Sequence, residues 1–351
     1  MAKETLYNKY RPQTWDQIVS QESIIKILTN EITNNQLPHV LLFQGPAGCG
    51  KTTIARLIGN QIDAETLEID GAANNGVDNV RNILEFSKQK PILNKYKVII
   101  IDEFHMITEA GQNTLLKIFE DCPEYLIFIL ATTDPQKILK TIISRCQSFK
   151  LTRIPTQQII DRLKYICDQE NTQNQGIIYN EDALSYIAKL AKGGMRTAIS
   201  YLDTCISLDK NVNVENVIKA LGISNTDTNA DLLYGIYQII YNENKEKKDK
   251  YCQNCIALLQ KVYNDGQNLN TFIEQFFEFM VDVSKYKLFN SFLNTELAQT
   301  EQLKADLDRY ETKKIVNILN KLQLFIQTIN KQNNNLLYSF ESWIMLQNKE
   351  V

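Results

Sequence analysis

The sequence carries no surplus of positive charge, no long apolar run and almost no histidine. Its 38 lysines and arginines face 41 aspartates and glutamates, a formal net charge of -3 spread evenly over 351 residues. With neither a basic tail nor a single-sign block, composition marks no nucleic-acid-binding domain, so any contact with DNA must be a local surface. No segment is long and apolar enough to cross a bilayer, and the opening MAKETLYNKYRPQTW lacks the apolar stretch of a secretory leader. The expectation is a soluble, cytoplasmic protein. Seven cysteines, an odd number, do not make a secreted disulfide framework, and reduced thiols are expected. The close pair Cys252 and Cys255 would need two further ligands to hold zinc, and the chain offers just His39 and His105. The pair sits in a helical apolar pattern, YCQNCIALLQKVY, which favours two half-buried thiols.

What is present is organised in three stretches. From His39 to Leu151 short apolar runs alternate with helical patterns, the mark of βαβ units and a parallel sheet, with HVLLFQ, TLEID, KVIIID and YLIFILAT as core strands. After Pro155 the strand signals stop and two or three helical patterns follow, with Asn180 as an N-cap and Gly193–Gly194 as a break before Met195. From Ile223 onward the pattern is of longer amphipathic helices with polar joints such as NENKEKKDK and NKQNNN. The expected fold class is α/β with a parallel sheet over residues 1–152, then a small helical domain over 153–222 and an all-α domain over 223–351.

Chemistry concentrates in the first stretch. Gly45, Pro46, Ala47, Gly48, Cys49, Gly50, Lys51 and Thr52 fit the P-loop pattern in full, followed by Thr53, and they lie between an apolar strand and a helix, where phosphate binding requires them. Glycines let successive backbone N–H groups turn around phosphates, the helix N-terminus adds positive potential, Lys51 reaches the outer phosphates and the Thr52 hydroxyl can ligate Mg²⁺. The strand KVIIID delivers Asp102 to its C-terminal end, where it can hold hydrated Mg²⁺, with Glu103 beside it to polarise an attacking water. Thr132 and Thr133 end the next strand, where either hydroxyl could touch the terminal phosphate or simply cap a turn.

The motifs LYNKYRPQTWDQIVSQESI, DGAANNGVDNVRNI, IIIDEFHM, LATTDPQKI, TIISRCQSF and GGMRTAISYLD together resemble, over residues 1–222, the gamma/tau subunit of the bacterial clamp loader, an AAA+ ATPase similar also to replication factor C small subunits. The stretch GNQIDAETLEID passes without the four-cysteine zinc module usual in the bacterial subunit, so no zinc is expected there, and the C-terminal extension of tau has no counterpart. A divergent bacterium, an organelle or a bacteriophage are all compatible sources. The resemblance implies an ATPase domain, a helical lid and an all-α collar that oligomerises. Tyr10, Arg11 and Pro12, with Val19, resemble the segment that folds against adenine; Thr133 matches the sensor 1 position; Arg196 in GGMR resembles the sensor 2 arginine that contacts the nucleotide in cis. Arg145 in SRC resembles the arginine finger offered to the ATP of a neighbouring subunit, against the alternative of a solvated surface charge.

Arg81, with Asn74 and Asn75 ahead of it, matches a helix that tracks the template backbone, although an ordinary solvated helix charge is a close competitor. Ile92 and Leu93, after Pro91, could dock on the clamp or pack in the core. The implied partners are a sliding clamp, primer-template DNA and the other subunits of a pentamer; the implied cofactors are ATP and Mg²⁺. Two rivals remain: another AAA+ DNA motor, such as a branch-migration helicase or a helicase loader, and a non-hydrolysing scaffold subunit.

Overall fold

The computed structural model describes residues 4–173, 176–222, 226–289, 301–329 and 335–349. Strands form where β-branched and aromatic side chains crowd into short runs. Four of them, β1 (Val40–Gln44), β2 (Ala64–Asp70), β3 (Tyr96–Asp102) and β4 (Leu126–Thr132), fall on the predicted segments. A fifth, β5 (Gln147–Lys150), completes a parallel sheet in the order β2-β3-β4-β1-β5. β5 escaped the sequence reading because just one of its four residues, Phe149, is buried, and an edge strand of that kind leaves little apolar signal.

Helices α1 (Leu6–Lys9), α2 (Glu22–Thr33), α3 (Lys51–Gln61), α4 (Val77–Lys88), α5 (Glu109–Glu120) and α6 (Lys140–Ile143) precede and connect the strands. Successive residues of a strand point to opposite faces, and the core divides accordingly. Val40, Leu42, Ile99, Ile101, Phe128 and Leu130 pack with α4, α5 and α6. Leu41, Phe43, Val98, Ile100 and Ile129 pack with α2 and α3. Burial on both faces explains why these strands read as unbroken apolar runs.

Three helices follow the sheet: α7 (Thr156–Thr172), α8 (Glu181–Leu190) and α9 (Met195–Leu208). Asn180 caps α8 as expected, its side chain accepting the Ala183 N–H at 2.8 Å. Strand signals do not wholly stop here: β6 (Ile178–Tyr179) and β7 (Asn211–Val212) pair in parallel, each too short to show a periodicity. Contacts divide the chain into two compact units, Met1–Val217 and Ile218–Val351. The helices expected to form a separate domain thus share a unit with the sheet, and the unit boundary falls inside the next helix, α10 (Val214–Leu221).

The second unit is all-α: α11 (Thr226–Tyr241), α12 (Lys245–Asn264), α13 (Leu269–Phe289), α14 (Glu301–Asp308), α15 (Thr312–Ile329) and α16 (Leu336–Lys349). Its core gathers Phe276, Phe279, Phe340 and Trp343 with Ile315 and Leu322. Two details differ from the sequence reading. Most of NENKEKKDK is the first turns of α12, capped by Asn244, whose side chain accepts the Lys247 N–H at 3.1 Å. Cys252 and Cys255 are free thiols and fully buried rather than half-buried. The joint NKQNNN lies almost wholly outside the described residues.

Phe128 lies at the centre of β4, fully buried, with its ring edge-on to Phe119 at 5.0 Å. Phe128→Ala is expected to lower the stability of the first unit by about 3–5 kcal/mol, read as a lower urea midpoint for loss of the sheet signal in circular dichroism.

Candidate nucleotide site

After β1 the chain turns through Gly45–Gly50 into α3. Gly48 (φ +74°) and Gly50 (φ +108°) hold conformations that L side chains resist, and a Cβ on Gly45 would come within 2.7 Å of the Leu151 carbonyl oxygen. Lys51, 5 % exposed, curls back so that Nζ donates to the carbonyls of Gly45 (2.8 Å) and Pro46 (2.9 Å). The Thr52 hydroxyl donates to Asp102 Oδ2 at 2.8 Å, linking the start of α3 to the end of β3.

Glu103 follows in a left-handed conformation, φ +45°, with its amide donating to Asp102 Oδ1 at 3.0 Å. Its carboxylate is held from two sides: Thr133 Oγ1 donates to Oε2 at 3.0 Å, and His105 Nδ1 lies 3.3 Å from the same oxygen. Of the two candidate threonines, Thr133 carries the link to Glu103. Thr132 is fully buried, accepts the Asp134 N–H at 3.0 Å and lies 3.2 Å from His105 Nδ1. Gly71 allows the end of β2 to approach this turn, because a Cβ there would come within 2.7 Å of the Glu103 carbonyl oxygen.

These residues border a cavity of about 420 Å³. Its lining includes Ala47–Thr53, Asp102 and Glu103, together with Tyr10, Arg11, Pro12, Ile18 and Val19, and with Tyr7 of α1 and Arg196 of α9. The volume suits a nucleotide. A turn without Cβ atoms, opening a helix N-terminus and backed by an ammonium, suits its phosphates; Thr52 and Asp102 are the oxygen donors that would hold Mg²⁺. The P-loop also meets α9 directly: the Met195 amide donates to the Gly48 carbonyl at 3.0 Å, and a Cβ on Gly48 would lie 3.2 Å from Gly194 Cα.

The other sequence candidates lie elsewhere. Arg145 is absent from the cavity wall, part-exposed, ion-paired with Glu120 and donating to the Thr141 carbonyl at 2.7 Å. Arg81 is exposed on α4 and paired with Asp78 at 2.9 Å. Asn74 is tied to the Asp70 carbonyl by both its amide and its side chain, each at 3.0 Å, and Asn75 accepts the Thr108 amide. Ile92 and Leu93 are 94 % and 93 % exposed, which rules out the core packing considered for them.

A sequence family described as DNA polymerase III, delta subunit, matches residues 59–155. The DNA polymerase III subunit gamma of Buchnera aphidicola from Acyrthosiphon pisum is 32% identical over 314 residues, 82% of either chain. The chain belongs to the gamma/tau family of DNA polymerase III clamp-loader subunits. The Bacillus subtilis subunit tau is 36% identical over 312 residues, covering 82% of this chain but 53% of its own, so this gamma/tau-family chain spans about half the length of such relatives. Among solved structures, the Thermotoga maritima RuvB Holliday junction branch migration motor superposes with a TM-score of 0.51 at 23% identity, over 66% of this chain and 80% of that one. At that identity the likeness is one of fold, and it supports the AAA+ architecture.

Two residues that line the cavity, Arg56 and Tyr7, and one beside Glu103, His105, were not found from sequence. Arg56, one helical turn beyond Thr52, makes a two-pronged ion pair with Glu68 of β2 at 2.5 and 2.7 Å; its i,i+4 spacing from Thr52, which puts both on one side of α3, was the available signal. His105 was weighed for zinc and not for its place two residues after Glu103. Tyr7 left no signal, since its role depends on α9. Cys49, inside the P-loop, is 1 % exposed. Burial pushes its thiol above the ordinary range, although the Lys51 ammonium pulls the other way. A raised pKa means less thiolate at a given pH, so iodoacetamide at pH 8 should label Cys49 far more slowly in native protein than in urea, as mass spectrometry of the tryptic peptide would read.

Proposed function

We propose that this gamma/tau-family chain is an ATP-hydrolysing motor subunit that helps open a ring-shaped sliding clamp and load it on primer-template DNA. The observation that carries the reading is a division of labour: Lys51, Thr52, Asp102 and Glu103 converge on one cavity, while Arg145 lies outside it. Backbone amides of the P-loop and the Lys51 ammonium bind the phosphates, Thr52 and Asp102 hold the metal, and Tyr10, Arg11, Pro12 and Val19 pack against the base. When bound, ATP with Mg²⁺ supplies the phosphoryl group whose charge must be stabilised during transfer. Glu103, once released from Thr133 and His105, orients the attacking water. Arg145 of a neighbouring copy or homologous subunit stabilises the developing charge, so hydrolysis requires an assembly.

On this reading residues 153–222 act as the lid and carry Arg196 to the nucleotide, and 223–351 form the collar of a five-membered ring. Arg81 and the Asn74–Asn75 turn contact the template backbone, a contact of phosphate geometry that should weaken with salt. The fully exposed pair Ile92 and Leu93 suits an apolar contact with the clamp.

The test is reconstitution with partner subunits, clamp and primed DNA. Turnover by the wild type should rise when DNA and clamp are added together. Glu103→Gln and Arg145→Ala should each bind ATP and lose turnover, the arginine by about 10³-fold or more. Full activity of Arg145→Ala in the assembly would refute the trans assignment, and full activity of the isolated wild-type chain would refute the requirement for a ring.

A further inference from the structure

The segment ahead of the adenine-facing loop is fastened to the helices after the sheet. The Leu6 amide donates to Asp203 on α9 at 3.1 Å, the Lys9 ammonium and Tyr10 hydroxyl both donate to Glu170 on α7 at 2.6 and 2.7 Å, and Arg162 on α7 donates to the Tyr10 carbonyl at 3.0 Å. Between these anchors Tyr7 has little freedom to move. Its ring meets the Arg196 guanidinium at 4.9 Å from the centroid, and both side chains face the nucleotide cavity. Arg196 is the second residue of α9, directly after Met195, whose amide is bonded to the Gly48 carbonyl of the P-loop.

We propose that Tyr7 is a positioning residue for Arg196, its ring holding the guanidinium above the P-loop so that the cation is poised for the terminal phosphate of a nucleoside triphosphate. An arginine free in solvent must give up many rotamers to bind an anion. An aromatic face that already confines it reduces that loss while leaving the N–H edge open to an oxygen. Anchoring through Leu6, Lys9 and Tyr10 makes the ring travel with the lid, so the aromatic–guanidinium pair persists as the lid moves. The contribution is selective, because a diphosphate lacks the group that Arg196 would reach. This inference rests on the assignment of Arg196 to the nucleotide.

The test measures affinity of the full chain, with Mg²⁺, for the non-hydrolysable β,γ-imido analogue of ATP and for ADP by calorimetry. Arg196→Ala should weaken the analogue much more than ADP. Tyr7→Ala should do the same to a smaller extent, about three- to tenfold, the range of a cation–π contact, while Tyr7→Phe keeps the ring and stays within about twofold of wild type. In the Arg196→Ala background Tyr7→Ala should have no further effect. Equal or tighter binding of the analogue by Tyr7→Ala, equal losses for ADP, or additive losses in the double variant would each overturn the inference. If Arg196→Ala itself leaves the analogue's affinity unchanged, the assignment of Arg196 falls and takes this inference with it; sensitivity to Arg196→Ala with indifference to Tyr7→Ala sinks the inference alone.

Discussion

A single hydrogen bond, from Thr52 to Asp102, joins strands that are not neighbours. The helix whose second residue is Thr52 follows β1, whereas Asp102 ends β3, and β4 lies between them in the sheet. In an open parallel sheet the crevice beyond the C-terminal strand ends is where ligands bind, and this bond spans it. It also sets the direction of the chain beyond β3. Asp102 uses one oxygen for Thr52 and the other for the Glu103 amide, and Glu103 leaves the strand in a left-handed turn that costs roughly 1–2 kcal/mol for a residue with a side chain. The two groups that grip the Glu103 carboxylate, Thr133 and His105, stand beside this turn. A strained turn whose side chain has defined partners is a device for aiming a carboxylate, and this one is aimed from the end of β3.

The second constraint is the seam between the P-loop and α9. Because Gly48 and Gly194 have no side chains, the two backbones approach until the Met195 amide reaches the Gly48 carbonyl. Arg153 and Ile154 close the other side of the joint, donating to the Lys192 and Gly193 carbonyls at 2.6 and 3.1 Å. Together with the N-terminal anchors on α7 and α9, the seam gives the P-loop, the segment Leu6–Tyr10 and the helices after the sheet a shared set of bonds. Through the Met195–Gly48 bond, the position of α9 and that of the Gly45–Gly50 turn are set together.

Much of this was legible in the sequence because the signals were local. Three strands, β1, β3 and β4, are nearly continuous apolar runs, the P-loop is a contiguous string, and Asn180 and the Gly193–Gly194 break are punctuation with known backbone preferences. Motif order pointed to the family that the comparisons identify. What could not be read depends on residues far apart in sequence. β5 is a strand because it can pair with β1, not because QSFK is apolar. The Arg56–Glu68 pair and the Tyr7–Arg196 stack join elements whose proximity the fold alone creates. Lysines, asparagine and glutamate read as a loop in NENKEKKDK nevertheless open a helix, since a good cap and the apolar face further along α12 outweigh local polarity.

The strand order has a consequence for the order of synthesis. Both hydrogen-bonding neighbours of β1 come later in the chain: Val40 pairs with Phe128 of β4, and Leu41 with Gln147 of β5. While the ribosome makes the intervening chain, β1 presents two unsatisfied edges of almost wholly apolar sequence, the kind of segment that pairs with the wrong partner. The loop that hangs from β1 depends on the same later partner: its Gly45 amide donates to the Thr132 carbonyl at the end of β4 at 3.2 Å, a bond that cannot form until β4 has been made.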